Sequence, residues 1–518
     1  MNGAEALIQT LSDCGVEVCF ANPGTSEMQL VAALDKQPKV RAILGLFEGV
    51  VTGAADGYGR MADKPAATLL HLGPGLGNGL ANLHNARRAR TPVVNIVGDH
   101  AVDHLRYDAP LTSDVEAVAR PMADWVRTSK SSADLAVAGG EAVQAALTYP
   151  GQIATLIAPA DHAWTDGAHP VAPKKPSEPA RASARDVARA AAALGADGSA
   201  ALFLGGRALR EDALEQAGRI AAATGARLIS ETFSARLQRG AGRVTLERLP
   251  YFGEMAAEFL AGLTRIVFVG AEPPVSFFAY PGKPSWLSPD NAELIKLAGP
   301  RDDAVDALRQ LADALNAPAA ANNLQAPAAP PAADGNLDAQ SLGAVLASLL
   351  PENAIVSDEA ATAGLAIFPM TQGAAKHDWL MLTGGSIGQG LPLAAGAAIA
   401  CPKRKVIALQ ADGSAMYTVQ ALWTMAREDL DVTTVIINNG SYAILNIELA
   451  RVGVTDPGPI ALSLLDLTRP AIDWVSISEG LGVPAVRAVT VGEFRDALQA
   501  ALASKGPQLI EAVVPAGI

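Results

Sequence analysis

The sequence predicts an α/β protein of three domains built on mainly parallel sheets. Strand-like and helix-like segments alternate along the chain, two stretches rich in Ala and Pro interrupt the alternation, and 518 residues suffice for three domains of about 150 residues each. Alternation of this kind implies parallel strands with helices on both faces of each sheet.

The first block covers residues 1–165. Residues 4–14 have helical spacing through Ala6, Leu7 and Leu11, and strands are expected at 16–20, 40–46, 66–72 and 93–98. A small-residue helix through Ala54 and Ala55 follows the second strand. Residues 166–182, rich in Pro, Lys and Ala, read as a linker. The central block, 183–316, has strands at 200–204, ending in Gly205-Gly206, and at 265–270. Residues 317–335 are almost entirely Ala, Pro and Asn and predict a second linker, exposed and mobile. In the third block, 336–518, strands are expected at 354–356, 379–382, 406–410, 432–437 and 508–514. No internal sequence repeat relates the first block to the third.

Composition narrows the function. Half of the chain is apolar, which excludes general disorder. A net charge of -13 with 5% aromatic residues argues against nucleic acid and anionic membranes as partners. The uncharged run 379–401 is long enough to span a bilayer, but it contains Gly384, Gly385, Gly388, Gly390, Pro392 and Gly396. It reads as a strand, a turn and a small-residue helix. Cys14, Cys19 and Cys401 have neither zinc-site nor disulfide-framework spacing, and a cytoplasmic location is expected.

The sharpest local signal is in the third block. The strand 406–410 runs into Ala411-Asp412-Gly413-Ser414, and the strand 432–437 into Asn438-Asn439-Gly440-Ser441-Tyr442. A helix with Met416, Val419, Leu422, Trp423 and Ala426 on one face is expected between them. Each polar cluster alone is an ordinary turn. Two clusters 27 positions apart, each closing an apolar parallel strand, stand where such sheets bind ligands. Asp412, Asn439 and the Ser441 carbonyl make an all-oxygen set for a hard divalent ion, Mg2+, Ca2+ or Mn2+. Gly413 permits close approach of a diphosphate, and Ser414 opens a helix whose free amides favour an anion.

These clusters resemble the thiamine diphosphate fingerprint, a GDG followed after some 25 residues by NN, with Ala411 in place of the first glycine. The resemblance spans nearly the whole chain, in the order pyrimidine-binding, central and diphosphate-binding domains with sheets of the six-stranded type. It is closest to benzoylformate decarboxylase and to acetolactate-synthase-like large subunits. It implies thiamine diphosphate as cofactor with a divalent ion, Mg2+ first. It also implies that Glu48, in Leu46-Phe47-Glu48-Gly49 at the end of a buried strand, bonds the aminopyrimidine ring and promotes proton removal from the thiazolium. In Thr383-Gly384-Gly385-Ser386-Ile387-Gly388 it makes Ile387 the wedge beneath a bent cofactor and the Gly385 carbonyl an acceptor. Tyr442 and Ala443 belong to a stretch similar to that family's GTYGAL and are carried over to the cofactor site. Because the family builds each site from two chains, a homodimer is implied at minimum and a homotetramer is expected. FAD is not expected, since Gly205-Gly206-Arg207 is too common a pattern to carry a dinucleotide.

The substrate side follows the same resemblance. Asn22-Pro23-Gly24-Thr25-Ser26-Glu27 looks like the NPGS-x-E loop, which puts Thr25 at the carboxylate of a 2-oxo acid. His71 matches the first active-site histidine and can relay a proton to the reacting carbon; the alternative is a strand-end residue bonded to a backbone carbonyl. Asn78 bonds cofactor or substrate, or else caps the next helix. No histidine lies between His169 and His377, and Phe278 occupies the place of the family's second histidine, with Phe277 beside it in an apolar pocket. The leading expectation is non-oxidative decarboxylation of a 2-oxo acid to an aldehyde. Carboligation of two carbonyl compounds is the alternative, and a non-catalytic cofactor-binding homologue is a third.

Overall fold

The computed structural model describes residues 1–516 other than 197, 332 and 333. Three sheets organise it. In the first, all strands are parallel, in the order Arg41–Leu44, Val18–Asn22, Ala66–Leu70, Val93–Asp99, Ile153–Pro159, Trp125–Thr128. The second, also parallel, runs Glu247–Arg248, Arg227–Ser230, Ala200–Leu204, Arg265–Val269, Glu293–Ala298. The third runs Ala485–Ala488, Gln508–Val513, Val432–Asn438, Val406–Ala411, Ala354–Glu359, His377–Met381, and adds Leu237–Arg239 antiparallel at its edge. The sheets thus have six, five and seven strands.

The first and third sheets share a topology. Numbering the strands within each block, both read 2-1-3-4-6-5 once the visiting strand Leu237–Arg239 is set aside. No repeat was legible in the residues because a parallel sheet buried on both faces demands apolarity and little else. The likeness places helices Glu48–Ala62 and Gly390–Ala400 in corresponding positions, each following its block's second strand. They pack against one another with almost no side chain between them. A Cβ on Gly57 would lie 2.0 Å from the Leu393 carbonyl oxygen, and one on Gly396 would lie 1.9 Å from that of Ala54. All residues of Gly390–Ala400 but the last are buried, which explains its uniform apolarity. Buried leucines such as Leu391 and Leu393 each stabilise by about 1.5–3 kcal/mol. Among the described residues no helix is long and apolar enough to cross a membrane.

Three expectations need correction. The helix expected across 412–426 is broken into Asp412–Ala415 and Ala421–Arg427. The break is held by Thr418, whose hydroxyl donates to the Gly388 carbonyl at 2.9 Å, and Met416 is left exposed. The strand expected over 40–46 stops at Leu44, so Glu48 begins a helix instead of ending a strand. Finally, the second linker is not free along its length. Asn323 and Gln325 exchange backbone hydrogen bonds with Arg243 and Thr245, and the Ala328 amide donates to Gly373; residues 332 and 333 of this linker lie outside the described residues. The first linker is likewise docked, with the Val171 amide donating to Thr10 Oγ1 at 3.0 Å.

Candidate active site

Parallel strands deliver their carboxyl ends to one edge of a sheet, and in the first sheet and in the third the polar loops follow those strand ends. In the first sheet, Val18–Asn22 and Ala66–Leu70 are neighbours. The loop after the former carries Thr25, exposed, and Glu27, wholly buried. His71 follows the latter. Leu72, next in the chain, takes a left-handed backbone (φ 50°), a strained conformation costing about 1–3 kcal/mol. That turn swings the chain into helix Leu72–Ala89 and leaves the His71 ring against Gly24, where a Cβ would stand 2.3 Å from Nδ1. Nδ1 lies 2.8 Å from Glu27 Oε2, so His71 is bound to a carboxylate and not to a carbonyl. Glu27 also accepts from the Gly24 amide and from Ser26 Oγ, both at 2.7 Å.

Glu48 is 7% exposed at the first position of its helix. Asn78 lies within helix Leu72–Ala89 and caps nothing; its Nδ2 donates to Glu48 Oε2 at 3.0 Å. Further along the same helix, Asn82 Nδ2 donates to the carbonyls of Gly49 and Gly388, and Asn85 Nδ2 donates to that of Ser386 at 2.7 Å. Asn78, Asn82 and Asn85 therefore form a polar stripe at helical spacing that ties the Glu48 turn to residues 384–388. On the far side, wholly buried Glu359 accepts from the amides of Gly388 and Gly390, each at 2.7 Å. Burial raises the Glu359 carboxyl to about 7 against the pull of those amides.

Gly385 has φ +74°, a left-handed backbone that glycine alone adopts freely. Ile387 is half-buried. The space where Gly385 would carry a Cβ is covered by the Phe277 ring, 2.4 Å from Cζ. Phe277 belongs to an aromatic cluster with Phe233, Tyr251 and Phe278, at ring-centre separations of 5.0–5.8 Å. It is thus Phe277 that faces the glycine loop, while Phe278 stands outside it, 55% exposed.

In the third sheet, Val406–Ala411 pairs with Val432–Asn438, so Asp412 and Asn439 emerge side by side. Asp412 is 2% exposed. Its Oδ1 accepts from the Gly413 amide at 2.9 Å and its Oδ2 from the Gly440 amide at 2.8 Å. Burial raises its carboxyl above the ordinary value in spite of these bonds. Each oxygen keeps a lone pair for an ion, and a divalent cation would offset the cost of that buried charge. Asn439 Oδ1 accepts from the Ser441 amide at 3.0 Å, and Ser441 Oγ donates to the Leu465 carbonyl at 3.2 Å. Ser414 and Ala443 are buried beside them. The close approach at Gly413 is made by Tyr442, whose Cε1 would be 2.3 Å from a Cβ there. Ala411 has φ −70° and ψ 143°, an ordinary extended conformation, so alanine in the glycine's place carries no strain.

The residues alone give Asn82, Asn85 and Glu359 no role, and Glu27 enters only as the last position of the NPGS-x-E-like loop. For the asparagines a signal exists, since polar residues recurring at helical spacing within an apolar segment mark a buried polar contact.

Comparison with known proteins identifies the family. Residues 1–119 match the thiamine pyrophosphate enzyme N-terminal TPP binding domain, and residues 365–512 match the C-terminal TPP binding domain. A Mycobacterium tuberculosis protein, IlvX, provisionally named an acetolactate synthase large subunit, is 56% identical over 99% of both chains. The benzoylformate decarboxylase of Pseudomonas aeruginosa is 30% identical over 96% of both. The fold matches that of a thiamine diphosphate-dependent 4-hydroxybenzoylformate decarboxylase from Rhodococcus jostii RHA1, with a TM-score of 0.88, 24% identity and 99% of each chain covered. The chain belongs to the thiamine pyrophosphate enzymes, in the branch of 2-oxo acid decarboxylases and acetolactate synthases, and is a thiamine-diphosphate-dependent enzyme of that branch.

Proposed function

We propose that the chain decarboxylates a 2-oxo acid with an aromatic or branched side chain and releases the aldehyde. The observation that carries this reading is the aromatic cluster of Phe233, Tyr251, Phe277 and Phe278, which meets the candidate cofactor loop at Gly385. Bound thiamine diphosphate would supply an electron sink for the carbon that loses carbon dioxide. Glu48, kept in place by Asn78, holds a proton at the aminopyrimidine ring. Gly385 and Ile387 would form part of the bed for the cofactor. Asp412, Asn439 and the Ser441 carbonyl hold the divalent ion, Mg2+ first, and Gly413, Ser414, Tyr442 and Ala443 line the diphosphate. Thr25 meets the substrate carboxylate. Loss of carbon dioxide leaves a carbon that must take up one proton to become the aldehyde, and His71 is the group that delivers it.

Each site draws Glu48 from one subunit and Asp412 from a second copy, in a homodimer that pairs into a tetramer. Carboligation is the second reading, and the lack of a second histidine favours it. With no histidine between His169 and His377, this segment offers no second proton relay, and the carbon can attack another carbonyl compound instead. Incubating the purified protein with thiamine diphosphate, Mg2+ and either benzoylformate or pyruvate, with products identified by mass spectrometry, tests both. Benzaldehyde from benzoylformate supports the first reading. Acetolactate from pyruvate with no aldehyde from either acid overturns it in favour of the second.

A further inference from the structure

A cavity of ≈ 340 Å³ opens where the central strands meet the edge of the third sheet, lined in part by Arg239, Arg248, Tyr251, Phe368, Gln325 and Gln372. Arg239 ends the visiting antiparallel strand and is 6% exposed. Its guanidinium carbon lies 3.8 Å from the centre of the Phe368 ring. Nη2 donates to the Phe368 carbonyl at 2.9 Å, while Nη1 is enclosed and without a hydrogen-bond partner among the described residues. Arg248 approaches the same ring, at 4.7 Å, and its Nε donates to the Thr232 carbonyl at 2.7 Å. Two guanidinium groups thus share one phenyl ring at the wall of one cavity.

Among the described residues, neither has a carboxylate within ion-pair distance. The carboxylate whose charge reaches both is Asp358, but its oxygens accept from Trp379 Nε1 at 2.9 Å and the Ala360 amide at 3.0 Å. Glu247, on the cavity wall, is engaged by Arg227 at 2.9 Å. His377, packed nearby, is pushed down to about 3 by burial and by Arg239, so it adds no charge. Cation–π contact returns less than an uncompensated buried ion costs. Burial, with the charge of Arg248 added, pulls Arg239 down to about 9. The pocket is short of one negative charge.

We propose that this cavity binds a small organic anion whose carboxylate or phosphate head is held between Arg239 and Arg248 and whose body lies against Tyr251. Guanidinium groups suit either head, since both present paired oxygens to a planar fork. Tyr251 also packs on Phe277, which covers Gly385, so the ligand would lie two side chains from the candidate cofactor loop.

The test uses the full chain saturated with thiamine diphosphate and Mg2+, so that the diphosphate site is already filled. Sodium phosphate and, separately, sodium benzoate are titrated calorimetrically at constant ionic strength into the wild type, Arg239→Met and Arg248→Gln. Saturable uptake of at least one probe is expected, with a Kd on the order of 1 mM or tighter. Both substitutions should weaken it by about tenfold or more, as loss of a charge-assisted hydrogen bond does. Uptake of phosphate alone assigns a phosphate-bearing ligand, and uptake of benzoate alone a carboxylate. Absence of saturable uptake in the wild type overturns the proposal. So does uptake that Arg248→Gln leaves unchanged, a result that stands even where Arg239→Met does not fold, because Arg248 is only half-buried.

Discussion

Glu27 Oε2 and His71 Nδ1 stand 2.8 Å apart across two neighbouring parallel strands. The Glu27 side chain is wholly buried, that of His71 a quarter exposed. A carboxylate can only accept, so Nδ1 carries the hydrogen and Nε2 is left as the nitrogen that would exchange a proton in the proposed reaction. Glu27 in turn fills the space at Gly98, where a Cβ would lie 1.7 Å from Oε1. The pair therefore orients the ring rather than merely neutralising it. Glu27→Gln, which lets an amide face Nδ1, should lower kcat/KM by about 10- to 100-fold, and His71→Ala by about 10²–10⁴-fold. Full activity in both variants would remove the pair from the reaction.

Glu48 makes a second, independent claim. Glu48→Gln keeps the shape and the contact with Asn78 but cannot hold a proton at the ring. Hydrogen–deuterium exchange at the thiazolium C2, followed by NMR, should fall to the rate of the free cofactor while cofactor uptake persists. Undiminished exchange would show that another group activates the ring.

Much of this arrangement was legible in the residues, and the reasons are local. Asp412 and Asn439 each close an apolar strand, and strand ends are marked by where apolarity stops. Glu48 stood out because a carboxylate within an apolar run needs a partner. Its true setting, a helix start held by Asn78, was not legible, since Leu46 continues the apolar pattern although it is 46% exposed. The role of Glu27, met only as the last position of the NPGS-x-E-like loop, and that of Glu359 were hidden for another reason. Glu27 meets a histidine 44 positions away and Glu359 the amides of Gly388 and Gly390, contacts that only the folded topology creates. The strand Leu237–Arg239 crosses from the central block into the third sheet; three residues carry too little periodicity to announce such a crossing.

If each site is shared between subunits, two inactive variants should repair one another. Glu48→Gln and Asp412→Ala, denatured or co-expressed together at equal amounts, form mixed dimers in half of cases, each with one intact site. Activity should recover to about a quarter of wild type. No recovery from a demonstrably mixed dimer would mean that both residues serve the same site within one chain.

Ala411 tests whether the missing glycine matters. Its backbone is extended, a conformation alanine adopts freely. Ala411→Gly should leave kcat/KM unchanged and lower stability to urea by about 0.4–1 kcal/mol, through the added freedom of the unfolded chain. A gain in activity would indicate that the alanine methyl obstructs the diphosphate.

The pH dependence of stability should carry the signature of Glu359. Burial raises its carboxyl from 4.5 to about 7 in the fold, so the folded state binds its proton more tightly than the unfolded state does. Below pH 4.5 both states hold the proton, and the contribution to stability is full. Between 4.5 and about 7 the unfolded chain releases its proton first, and the contribution declines; above about 7 it is gone. Glu359→Gln cannot titrate and lacks this decline, although it loses an acceptor for the Gly388 and Gly390 amides at every pH. The difference in Tm, wild type minus variant, should therefore shrink as pH rises from about 4.5 to about 7 and then level off. Parallel melting curves for the two proteins across that range would mean that the carboxyl ionises in the fold as readily as it does in water.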